Sequence, residues 1–87
     1  MNSQNQKLVK RLQIIEGQVR GVREMIEGGK YCIDIITQTS AIKNALSGVE
    51  DALMEGHLSH CVMDQVSHGK TDKAVEEIMK VYKLKRK

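Results

Sequence analysis

A helix with nowhere to stop constrains this chain most. Ile35, Thr39, Ile42, Leu46, Val49 and Leu53 fall on one stripe, and Leu58 and Val62 continue it. Up to Leu53 the steps alternate between four and three residues, the period of an amphipathic helix. The run opens near Tyr31 or Cys32, and the next clear stop is "SHGKTD". About 35 residues at about 1.5 Å each make roughly 50 Å of helix. A compact chain of 87 residues has a radius of gyration of only about 12 Å. Either Gly48 or Gly56 breaks the helix, or it is continuous and other copies of the chain cover it. The stripe keeps its phase through Gly48, so the continuous helix is preferred. The simplest assembly that covers it is an antiparallel four-helix bundle of two protomers.

Two more helices flank this one. Leu8, Leu12, Ile15, Val19, Val22 and Ile26 form an amphipathic stripe that "EGGK" ends, with Gly28 and Gly29 as C-cap residues. After Gly69, Thr71 or Asp72 is the expected N-cap of a last helix. That helix carries Ala74, Val75, Ile78, Val81 and Tyr82 on one side and ends in "KLKRK". The chain has no Pro, Trp or Phe and only two Tyr. Its apolar supply is aliphatic and helix-compatible, so the fold class is all-α with three helices per protomer. With no repeat, linker or low-complexity stretch, residues 1–87 read as one domain. So small a core is often completed by oligomerisation.

No apolar run approaches the ~20 residues of a membrane span, and "MNSQNQKLVKR" lacks the apolar stretch of a signal peptide. The expected location is the cytoplasm, where thiols stay reduced. Two cysteines there suit a ligand pair or a redox pair better than a structural disulfide.

The cysteines and histidines are clustered. "EGHLSHCV", residues 55–62, holds two of three histidines and one of two cysteines. His57 and Cys61 are four apart, so on a helix they share a face. His60 points about 100° away and is left out. His68, in the turn beside Gly69, reads as a surface residue. A bare H-x-x-x-C is more often a surface histidine and a small half-buried thiol than a metal site. A third ligand changes that weighing. Cys32 stands 25 residues before His57, roughly 37 Å away on a continuous helix. One chain would not close the site, but in an antiparallel dimer Cys32 of one protomer can meet His57 and Cys61 of its partner. Two-fold symmetry would give two such sites. Two thiolates and an imidazole suit Cu(I), and also Zn where a fourth ligand is found. Tyr31, beside Cys32, reads by default as an interface residue. Glu77 reads by default as a solvated charge, unless its helix folds over the site and it accepts from the imidazole N–H.

The formal charge of +3 and pI near 9.0 permit an anionic partner without demanding one. Lys7, Lys10 and Arg11 flank the first stripe with Gln18 in line, Arg20 and Arg23 lie on the other flank, and Lys43 stands on the long helix. One charged face is usually only a solvated face, but rows repeated in an oligomer can track phosphates. No helix-turn-helix pattern and no aromatic stacking platform is present. Nor is there a Gly-rich phosphate loop or a G-x-S-x-G elbow, so no enzyme and no small-molecule substrate is expected.

"RLQIIEGQVRGVREMIEGGKYCIDIITQTSAIKNAL", followed by "HLSHC", resembles the copper-sensitive operon repressor (CsoR) family, whose wider group includes nickel/cobalt, formaldehyde and persulfide sensors. The match spans roughly residues 7–82. It implies an all-α dimer of dimers, a homotetramer that binds operator DNA in its apo form and releases it when a ligand binds between subunits. It implies Cys32, His57 and Cys61 as Cu(I) ligands, and Tyr31 and Glu77 as the residues that hydrogen-bond around them. Arg11 matches a residue tied to DNA contact, and Lys7, Lys10, Gln18, Arg20 and Lys43 extend the expected DNA face. Nickel/cobalt members add N-terminal nitrogen ligands including a histidine, which "MNSQNQ" lacks. Formaldehyde members lack the second cysteine and persulfide members lack the histidine. Having all three, this sequence is expected to sense copper. Gly48 stands where some members carry a basic residue. The alternatives are a persulfide or thiol sensor of the same family, and a metal-buffering bundle with no DNA role.

Overall fold

The computed structural model describes residues 3–86. They form α1 (Ser3–Glu27), α2 (Cys32–Gly56), a π-helical turn (His57–Val62), α3 (Met63–Ser67) and α4 (Thr71–Arg86), with no strand among the described residues. The chain divides into two compact units, one running through Ala52 and the other from Leu53 onward.

The first unit is an antiparallel helical hairpin. Its turn is built from the sequence "GGK". Gly29 takes φ +67°, a left-handed conformation that an L side chain rarely adopts. The Lys30 N–H then reaches back to the Met25 carbonyl at 2.9 Å, and the Gly29 N–H to the Ile26 carbonyl at 3.1 Å. This pair of bonds is the Schellman motif, which satisfies the last carbonyls of α1. At the open end, the Gln4 side-chain amide donates to the Ala52 carbonyl at 2.9 Å and ties the two helices together.

The apolar stripe of α1 separates into two rows. Leu8 and Ile15 are buried against Ile42 and Val49, and Val22, Ala45 and Ala52 pack on that cluster. Leu12, Val19 and Ile26 lie four residues beyond the first row and stay 40%, 53% and 61% exposed. Leu46 on α2 is likewise exposed. Each row repeats every seven residues, so only one of two apolar seams is filled within the chain.

The long middle run keeps helical backbone from Cys32 to Ser67, but not with one hydrogen-bond pattern. Gly48 lies inside α2 without interrupting it. At Gly56 (φ −63°, ψ −39°) the bonding changes to the wider π pattern, and it returns to α at Met63. A π turn takes up one extra residue without leaving the helix, and such turns are frequent at functional sites.

The second unit repeats the turn solution. Gly69 takes φ +73°, the Lys70 N–H meets the Gln65 carbonyl at 2.7 Å, and the Gly69 N–H meets the Val66 carbonyl at 3.1 Å. The first helical residue of α4 is Thr71 itself, so the cap position expected of Thr71 or Asp72 falls to Lys70. Its carbonyl accepts the Ala74 N–H at 3.1 Å. Ala74 is the buried anchor of this unit, with Ile78 and Val81 half-buried behind it.

Candidate metal centre

The π turn carries His57 and Cys61, and the Gly69 turn brings α4 back beside it. His57 is half-buried, and its Nε2 lies 3.6 Å from Glu77 Oε2. That is ion-pair reach, slightly longer than a hydrogen bond. Glu77 thus belongs with His57 and not with the solvated charges of α4. With Nε2 facing the carboxylate, Nδ1 is the ring nitrogen turned away from Glu77.

Cys61 is a free, exposed thiol. It opens on a groove of about 500 Å³ lined also by Asp64, Gln65, His68, Lys70 and Lys73. His68 closes on its own helix: Nδ1 is 2.8 Å from the Asp64 carbonyl and 3.5 Å from Asp64 Oδ1. His60 is exposed.

Gln65 carries no signal in its residue type, yet its half-buried side chain meets Glu77. Its Nε2 donates to Glu77 Oε2 at 3.5 Å, while its Oε1 is buried without a partner. The signal that could have found it is spacing, since Gln65 is four beyond Cys61 and eight beyond His57.

Cys32 opens α2 in the other unit, free and exposed, and Tyr31 just before it is 67% exposed. Among the described residues of one chain, no three His, Cys, Asp or Glu side chains form a group able to hold a metal ion. His57 and Glu77 are brought together, and Cys32 and Tyr31 lie in the hairpin unit.

The candidate DNA residues are all exposed on the hairpin: Lys7, Lys10, Arg11, Gln18, Arg20 and Lys43. They do not share one groove. Arg11 and Gln18 border a cleft of about 300 Å³ with Ile14, Ala45 and Gly48. Arg20 borders another, of about 580 Å³, with Leu12, Glu16, Val19 and Arg23. Arg23 is engaged with Glu27 at 3.4 Å. Among the described residues, no helix is long and apolar enough to cross a membrane.

Residues 4–83 match the model of the metal-sensitive transcriptional repressor family. The chain is 39% identical over 82 residues to the copper-sensing transcriptional repressor CsoR of Bacillus subtilis (strain 168), covering 94% of this chain and 81% of the relative. It is 52% identical over 66 residues to the copper-sensing transcriptional repressor RicR of Mycobacterium tuberculosis (strain ATCC 25618 / H37Rv), covering 76% and 69% of the two chains. The crystal structure of the copper-sensing repressor CsoR with Cu(I) from Geobacillus thermodenitrificans NG80-2 superposes with a TM-score of 0.93 at 42% identity, over 100% of this chain and 91% of that one. The family match and the Geobacillus superposition run nearly end to end on an all-helical fold, and the chain belongs to the metal-sensitive transcriptional repressor family, whose members are regulators and not enzymes.

Proposed function

We propose that this protein is a Cu(I)-responsive repressor that holds operator DNA in its apo form and releases it when the metal binds. The observation that carries the reading is the half-buried imidazole of His57, set against Glu77 on its Nε2 side and one helical turn from the free thiol of Cys61. The copper-sensing relatives support the choice of metal.

Cys61 and His57 make half of a donor set, and we assign the other half, Cys32, to a second copy of the chain. When bound, Cu(I) accepts two thiolates and one imidazole in a three-coordinate set. Zn could enter the same set in vitro if a fourth donor is supplied. Tyr31 arrives with Cys32 and lends its hydroxyl to the surroundings of the ligands. Glu77 holds the imidazole so that Nδ1 faces the thiols, and it links the site to α4. The open seam of Leu12, Val19, Ile26 and Leu46 supports the antiparallel dimer that this assignment needs. Two dimers forming a tetramer would repeat Lys7, Lys10, Arg11, Gln18, Arg20 and Lys43 along the phosphates of operator double-stranded DNA. Linkage requires that DNA weaken metal binding by the factor with which metal weakens DNA binding, typically about 1–3 kcal/mol.

The test is a titration of Cu(I) into the protein–operator complex under reducing, anaerobic conditions, followed by fluorescence anisotropy. The expected result is release of the DNA as the sites fill. Full retention of DNA at saturating copper overturns the reading. The exposure of both thiols favours a second one, a persulfide or thiol sensor in which Cys32 and Cys61 carry the response.

A further inference from the structure

A buried carbonyl oxygen with no partner calls for a reason. Gln65 Oε1 is such an atom. The same side chain places its amide nitrogen 3.5 Å from Glu77 Oε2, the oxygen that also faces His57 Nε2 at 3.6 Å. Turning the amide over would give Oε1 a place beside the carboxylate, where two acceptors repel. The amide is therefore held with its donor on Glu77, and the orphaned carbonyl is the consequence. One carboxylate oxygen thus accepts from the amide on α3 and faces the imidazole of the π turn. Gln65 also lines the groove onto which Cys61 opens.

We propose that Gln65 is a positioning residue for the metal response: it holds Glu77 against the Nε2 side of His57 before any metal arrives, keeping Nδ1 free to bind. The inference rests on the copper-sensing reading above. A carboxylate held by only one long contact would swing to solvent on the exposed side of α4. The His57 ring would then lose the contact that selects its tautomer. On ligand binding the carboxylate closes onto the imidazole N–H, and Gln65 fixes the oxygen that does so.

The test compares the full-length protein with Gln65→Met, which keeps the volume and removes both amide atoms. Two readouts need no metal. Nitrogen-15 NMR of the apo protein is expected to show His57 mainly as the Nε2–H tautomer, and a mixture in Gln65→Met. Thermal stability is expected to hold or rise, because the orphaned carbonyl is gone; a purely structural glutamine would lower it. The third readout is the ratio of operator affinities without and with Cu(I), expected to shrink roughly tenfold, the low end for residues that orient a metal ligand. The same substitution made in Glu77→Gln is expected to add nothing further. If native protein releases DNA with copper but Gln65→Met matches it in tautomer and in response, Gln65 has no positioning role. If native protein itself ignores copper, the copper reading fails, and the apo tautomer still decides on Gln65. Should Gln65→Met not fold, Gln65→Lys keeps a donor on Glu77 and is expected to retain the native tautomer and response; loss of either overturns the proposal.

Discussion

At the scale of residues, the second unit sets a paired imidazole beside an exposed free thiol. His57 is half-buried and faces Glu77, whereas Cys61 is free on a groove. Replacing His57 by Ala removes the imidazole but touches none of the exposed hairpin residues assigned to DNA. The expected outcome is unchanged apo affinity for the operator, with the copper-induced loss of affinity falling to a small fraction of its native value. Reaction with polysulfide, by contrast, should still release DNA from His57→Ala if the thiols alone carry the response. Operator anisotropy with each inducer distinguishes the two readings.

At the scale of elements, two turns do the same work with the same chemistry. Gly29 and Gly69 each sit at positive φ, and each is followed by a lysine whose N–H reaches back five residues. Gly29→Ala meets open space, so its cost is conformational only, about 1–2 kcal/mol, read as a lowered Tm. Gly17→Ala, inside α1 and equally unobstructed, should act in the opposite direction by up to about 1 kcal/mol. These turns were legible in "EGGK" and "SHGK" because glycine at a helix end has one strong physical meaning. The helices themselves were legible in their three-and-four spacing. The π turn was not, since apolar spacing reports which face is buried and not whether each N–H reaches back four residues or five. Gln65 was only partly legible: its spacing puts it on the face of Cys61 and His57, but a polar residue in a helix carries no sign of which carboxylate it will meet. The split of the α1 stripe into a filled and an open seam needed the neighbouring helix, because Leu8 and Leu12 look alike in a list of apolar positions.

At the scale of the whole molecule, the hairpin fills one seam and leaves the other open. Leu12, Val19 and Ile26 repeat every seven residues on the exposed side of α1, as a bundle surface would. Val19→Asp costs the isolated hairpin little, because Val19 is already half in solvent. In a dimer it would bury an unpaired charge. The dissociation constant is expected to rise at least about 100-fold, seen by analytical ultracentrifugation, with copper response and DNA binding lost together. A chain that stays dimeric with Asp at this position would place the interface elsewhere. Family membership settles that the molecule is a regulator, while the source of Cys32 and the order of assembly are matters for this experiment.

The turn at Gly69 has one more consequence. Gln65 is the residue whose carbonyl closes that turn, through the 2.7 Å bond from Lys70, and whose side chain meets Glu77. Main chain and side chain of one residue therefore set the interval between the histidine and its carboxylate. Counted along the chain, the stretch from His57 to Glu77 is a ruler whose slack is already taken up by the π turn. A single inserted or deleted residue there would rotate one end of it away from the other. Between these two positions residues can be exchanged, but their number cannot change without parting the imidazole from its carboxylate.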